Sequence, residues 1–229
     1  MNIEEVEAEL AENADAGYRD FSAKLTPTQY PMTGVRIPIL RKLAARIVKS
    51  GFGETYLQEG KRDTHEQIML AGFVTAALGG TPDEYLRRLD AFMPYIDNWA
   101  VCDCVLSSCK AVKKFLPTAA EHFFAYAARG VWERRVLAVF MMDYLLTDEY
   151  IDKVLDLYAT MPQGEYYVDM AIAWGLSVAL VKYYEKTLDK LRAGVYSTFV
   201  TNKAIQKARE SYRISPEHKT ELLQYKKKA

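Results

Sequence analysis

The feature that most constrains this chain is a spacing. Its most apolar helical stretches open at about Asp63, Asn98, Val131, Tyr166 and Asn202, in steps of 35, 33, 35 and 36 residues. A shorter, more amphipathic stretch separates each from the next. Two-helix units at this period cannot bury an apolar face alone, so they stack on their neighbours until a continuous core forms. Strand signals are nearly absent. Capping residues, apolar positions three and four apart, and Gly or Pro at the breaks recur instead. The expected fold is all-α, an α-α superhelix or solenoid of HEAT-like helical repeats. One domain is expected over 1–229, with an N-terminal helical cap and irregular loop at 1–33 and the repeat array at 34–229. The inner helices are expected over 63–79, 98–114, 131–146, 165–183 and 201–212, with no helix between 50 and 63.

Composition narrows the class. Half of the 229 residues are hydrophobic, enough for a substantial core. The opening stretch MNIEEVEAELAENADAG is acidic and lacks the basic and apolar regions of an export signal. Apolar runs elsewhere fall short of the ~20 residues of a membrane span. A cytoplasmic protein is therefore expected. Cys102, Cys104 and Cys109, spaced x1 and x4, match no zinc pattern, and His65, His122 and His218 are scattered, so no metal is expected. The net charge of zero hides an asymmetry: residues 1–16 carry six acids and no base, and the remainder carries +6. From Thr201 onward eight Lys or Arg face three acids, a basic bias that suits a polyanion or a solvated terminal helix.

The stretch DNWAVCDCVLSS at 97–108 holds the first candidate site. On one continuous helix Trp99, Asp103, Ser107 and Lys110 share a face opposite Val101, Val105 and Val112. A polar stripe headed by a large aromatic reads either as an edge-of-core Trp beside a solvated Asp or as half of a site. The next inner helix opens with VWERR, which places Arg134 and Arg135 in a first turn where the helix dipole disfavours cations. Their partner is either an internal carboxylate such as Asp103 or a phosphate, which guanidinium suits. Trp174, in MAIAWGLS, reads by itself as core packing.

Together these stretches, DNWAVCD at 97–103, VWERR at 131–135 and VDMAIAW at 168–174, resemble the HEAT-like DNA alkylation-repair glycosylases, the AlkD-like family. Further likeness lies at GVRIPILRKLA (34–44) and TNKAIQKARESY (201–212). The resemblance implies a DNA N-glycosylase, a hydrolase that cleaves the N-glycosidic bond of cationic alkylated purines, 3-methyladenine or 7-methylguanine, in double-stranded DNA. Trp99 and Trp174 would line the sugar-phosphate cleft, Asp103 would stabilise charge developing on the deoxyribose or position water, and Arg135 would hold a phosphate. Arg134, Lys110, Lys203 and Lys207 join Arg135 as expected DNA contacts. No cofactor is called for, because a methylated purine already carries its charge and leaves without a general acid. A monomer, associated with the nucleoid when on DNA, is expected. Two alternatives stay open: a non-catalytic DNA-structure binder of the same superfamily, and a protein-interaction scaffold.

Overall fold

Helix starts in this protein are set by side chains that take up orphan N–H groups. Asn2 with Glu5, Thr64 with Gln67, and Thr81 with Glu84 form reciprocal capping boxes. Asn98, Ser197 and Ser215 cap by the side chain alone. A computed structural model describes residues 1–228. In chain order its helices are α1 (Ile3–Glu12), α2 (Ala16–Leu25), α3 (Ile37–Lys49), α4 (Gly53–Glu59), α5 (His65–Ala77), α6 (Pro82–Phe92) and α7 (Trp99–Leu106). There follow α8 (Leu116–Phe124), α9 (Val131–Tyr144), α10 (Ile151–Thr160), α11 (Tyr166–Lys182), α12 (Tyr184–Arg192), α13 (Thr198–Glu210) and α14 (Pro216–Leu222). Short 3₁₀ turns supplement them, and the described residues contain no strand. The fold is all-α, built of paired helices of the helical-repeat kind.

The chain forms two compact units, Met1–Ala119 and the residues from Ala120 onward, and the division falls within α8. In the first unit α5 is the central helix, packed on α3, α6 and α7. Every residue of α5 except Ala77 is buried. Gly72 makes this possible, since a Cβ there would collide with Val105 Cγ2 and stand 2.8 Å from Phe92 Cζ. In the second unit α11 is central, packed between α9 and α13. Gly175 plays the matching part: a Cβ there would strike Tyr158 Oη, which donates to the Ala138 carbonyl at 2.9 Å and ties α10 to α9. Glycine inside a helix costs about 1 kcal/mol of propensity. Close helix packing offsets it at both places.

The remaining helices are amphipathic and joined by ion pairs one repeat apart. In the first unit Arg88 meets Glu54 at 2.5 Å. In the second, Lys153 meets Glu121 at 3.5 Å, Lys186 meets Asp152 at 2.7 Å and Lys190 meets Asp156 at 2.5 Å.

Two departures from the sequence reading bear on the site. The stretch 50–63, expected to connect, contains the seven-residue helix α4. The expected helix 98–114 ends at Leu106, and Lys110–Phe115 is a 3₁₀ turn. The hydroxyls of Ser107 and Ser108 donate to the Cys104 carbonyl at 3.0 and 2.8 Å, and Arg41 Nη2 donates to it at 3.3 Å. That carbonyl no longer needs the Ser108 N–H, which turns to Val105 at 2.9 Å. Local hydroxyl bonds have displaced the α-helical ladder. Lys110 therefore sits outside the helix that carries Trp99 and Asp103.

Candidate nucleic-acid interface

In the first unit the site is built from Asp97 and Asn98 upward. Asp97 Oδ2 accepts from Thr28 Oγ1 at 2.7 Å and from the Gln29 N–H at 2.8 Å, which fixes the irregular segment after α2. Fully buried Asn98 caps α7 by accepting from the Val101 N–H at 3.0 Å. Its amide nitrogen donates to Asp97 Oδ1 at 2.6 Å and lies 3.4 Å from His65 Nδ1. Burial holds His65 below the usual imidazole range, although Glu66 and Asp97 pull the other way. Glu66 is spent on structure, accepting from the Thr33 and Gly34 N–H groups at 2.9 and 2.7 Å.

Trp99 follows as the first residue of α7, 37% exposed, with its Nε1 donating to the Leu25 carbonyl at 3.1 Å. Its ring borders a cavity of about 170 Å³ between α2, α3, α5 and α7, lined also by Phe21, Met32 and Met69. Asp103 lies one turn along α7 and is half-buried. Next to it, burial pushes the Cys104 thiol up. Sequence reasoning passed over Arg41, whose guanidinium lies 4.4 Å above the Phe73 ring and donates to Ser108 Oγ as well as to Cys104. It brings a cation to the C-terminal end of α7, where the dipole favours one.

In the second unit the arginines of VWERR are not the open cations that the sequence suggests. Arg134 and Arg135 are 9% and 5% exposed. Arg134 Nη1 donates to the Pro162 carbonyl at 2.7 Å, and Arg135 Nη1 donates to the Tyr167 carbonyl at 2.7 Å. Folding back onto carbonyls of the next connection answers the unfavourable dipole at the start of α9. Burial raises the Asp169 carboxyl, despite the Gly164 N–H at 3.1 Å and the nearby Arg134.

Trp174 stands 37% exposed on α11, with Gly175 and Leu176 buried beside it. The core-packing reading of Trp174 is thus corrected: its neighbours fill the core and the indole is left at the surface. Lys203 and Lys207 are half-exposed on α13, where Lys203 Nζ donates to Gln206 Oε1 at 3.0 Å. Trp99 and Asp103 thus share one helix of the first unit, and Arg135 and Trp174 lie on packed neighbours in the second.

Among the described residues no three His, Cys, Asp or Glu gather as a metal site, and no helix is long and apolar enough to cross a membrane. The fold defines an all-α protein of the helical-repeat class, with Trp99 exposed in the first unit and Trp174 exposed in the second. The family model for DNA alkylation repair enzymes matches residues 6–213, and the chain belongs to that family. The match runs from α1 through α13 and stops before α14. Among curated proteins no match is found.

Proposed function

We propose that the protein is a DNA glycosylase that releases cationic N-alkylated purines, 3-methyladenine or 7-methylguanine, from duplex DNA. The observation that carries this reading is the pairing on α7: an indole fixed by its own N–H at the edge of a cleft, with a carboxylate one turn away. As the glycosidic bond lengthens, positive charge grows on the deoxyribose, and a fixed carboxylate in a partly dehydrated setting stabilises it. The alkylated base leaves as a neutral molecule and takes the bonding electrons with it, so no second carboxylic acid is required. Asp103 then holds the water that completes hydrolysis. Trp99 packs on the sugar-phosphate backbone. Trp174 and Arg135, by the family resemblance, contribute a sugar contact and a phosphate contact, with Lys203 and Lys207 as further phosphate partners.

The test is base release from a duplex carrying 7-methylguanine. Release by the wild type is expected, with a loss of about a hundredfold or more in Asp103→Asn, the scale of removing one electrostatic group from a transition state. Asp152→Asn, an outer-helix control, is expected to retain it. No release at enzyme excess would overturn the reading.

The alternative, a non-catalytic DNA binder, would show duplex binding that weakens steeply with salt and no base release.

A further inference from the structure

The first unit contains a second cavity, of about 450 Å³, between α4, α5 and α6. It is separate from the Trp99 cleft. His65, Glu66 and Met69 of α5 line the cleft, whereas Ala71 and Thr75 of α5 line this cavity. At 100° per residue those two faces lie roughly 150° apart around the helix. Its volume falls within the range of pockets that hold small organic ligands.

The walls differ in character. Leu57, Ala91 and Tyr95 supply apolar surface, and buried Phe92 backs the Tyr95 ring at 6.2 Å and 33°. Arg62, Arg87 and Arg88 supply three guanidiniums against a single acid, Glu54. Two of the three are braced. Arg88 donates to Glu54 and to the Leu78 and Gly79 carbonyls, and its Nε is buried without an acceptor. Arg62 donates to the Tyr56 and Leu57 carbonyls at 3.4 and 3.3 Å and lies 5.2 Å above the Tyr56 ring. Gly60 leaves room for this, because a Cβ there would stand 2.9 Å from Arg62 Nη1. Arg87 is exposed, within electrostatic reach of Glu84 one turn back on α6.

We infer that this cavity binds a small organic phosphate with a flat ring, of the nucleoside monophosphate class. The phosphate meets the guanidinium fork of Arg87 and the net positive field of Arg62 and Arg88. Forked donors suit phosphate oxygens better than a point charge does. The flat ring covers Tyr95, which is half-exposed. Nothing in the proposed glycosylase chemistry uses these residues, so the two readings stand or fall separately.

Calorimetric titration of the full chain with adenosine monophosphate and with inorganic phosphate tests the inference. Saturable binding of the nucleotide is expected, with inorganic phosphate weaker. Arg87→Ala is expected to reduce nucleotide affinity at least tenfold, since a charge-assisted contact is lost. Arg87→Lys is expected to recover part of it. Asp103→Asn is expected to bind the nucleotide as the wild type does, and Arg87→Ala is expected to release alkylated base as the wild type does. Absence of saturable binding, affinity unchanged in Arg87→Ala, or equal affinity for inorganic phosphate would each overturn the assignment. Arg87 is exposed, so its variants are expected to fold, and an unchanged thermal midpoint checks that.

Discussion

The indole N–H of Trp99 reaches the carbonyl of Leu25, the last residue of α2, across 3.1 Å. One hydrogen bond thus fastens the candidate reactive face to the helix that borders its cleft. In Trp99→Phe a smaller ring keeps part of the apolar contact and the Leu25 carbonyl loses its donor. A loss of about 0.5–1.5 kcal/mol is expected in urea denaturation, the size of one net hydrogen bond. Limited proteolysis is expected to cut sooner in the segment after α2.

His65 makes this region sensitive to acid. Burial lowers its folded-state pKa below the unfolded value of about 6.5. The unfolded chain therefore binds a proton that the folded chain refuses, and stability falls as pH drops from about 6.5 toward the folded value. Protonation of Nδ1 also removes the acceptor beside the Asn98 amide, at the cap of the helix that carries Trp99. Denaturation midpoints at pH 7.5 and 5.5 are expected to differ less in His65→Gln than in the wild type. Equal differences would contradict the role assigned to burial.

Gly72 sets how closely α7 approaches α5. Gly72→Ala gains helix propensity of about 1 kcal/mol but drives a methyl into Val105 and Phe92, and overpacking of this kind costs about 1–3 kcal/mol. Net destabilisation is expected. Adding Val105→Ala removes the nearer clash, so the double variant is expected to be more stable than the sum of its single changes predicts.

Arg135→Ala tests stability before it tests DNA binding. Removing the guanidinium leaves the half-buried Tyr167 carbonyl without this donor, at a cost of about 1 kcal/mol. The thermal midpoint is expected to fall visibly. Loss of DNA binding in this variant counts toward a phosphate contact only at a temperature where the fold persists.

The repeat was legible because its period is a property of apolar residues along the chain. Helices α5, α7, α9 and α11 begin at His65, Trp99, Val131 and Tyr166, within two residues of the starts read from sequence. The last inner helix, α13, begins at Thr198 rather than near Asn202, because Ser197 caps it with its hydroxyl. The Ser-Ser end of α7 was harder to read. A serine pair is compatible with a continuing helix until an outside donor, here Arg41, joins the hydroxyls at the Cys104 carbonyl. The burial of the VWERR arginines was not legible for a similar reason. Among their acceptors are carbonyls 28 and 32 residues away, and backbone carbonyls leave no trace in residue identity. Trp99 and Asp103 were placed on one helix correctly, since spacing alone decides that.

Four of the ion pairs between outer helices share a direction. In Glu54–Arg88, Glu121–Lys153, Asp152–Lys186 and Asp156–Lys190 the acid lies on the earlier helix and the base on the later one, and the order reverses at the end, where Arg192 of α12 meets Glu221 of α14 at 3.1 Å. Exposed pairs of this kind hold little, about 0–1 kcal/mol each. Their polarity has a different effect, most plainly at α10. It offers Lys153 backward to α8 and Asp152 and Asp156 forward to α12. A chain that docked α10 back to front would set like charges against each other. Through α8, α10 and α12 the pairs act as an arrow along the chain, marking on each helix the face that meets its predecessor.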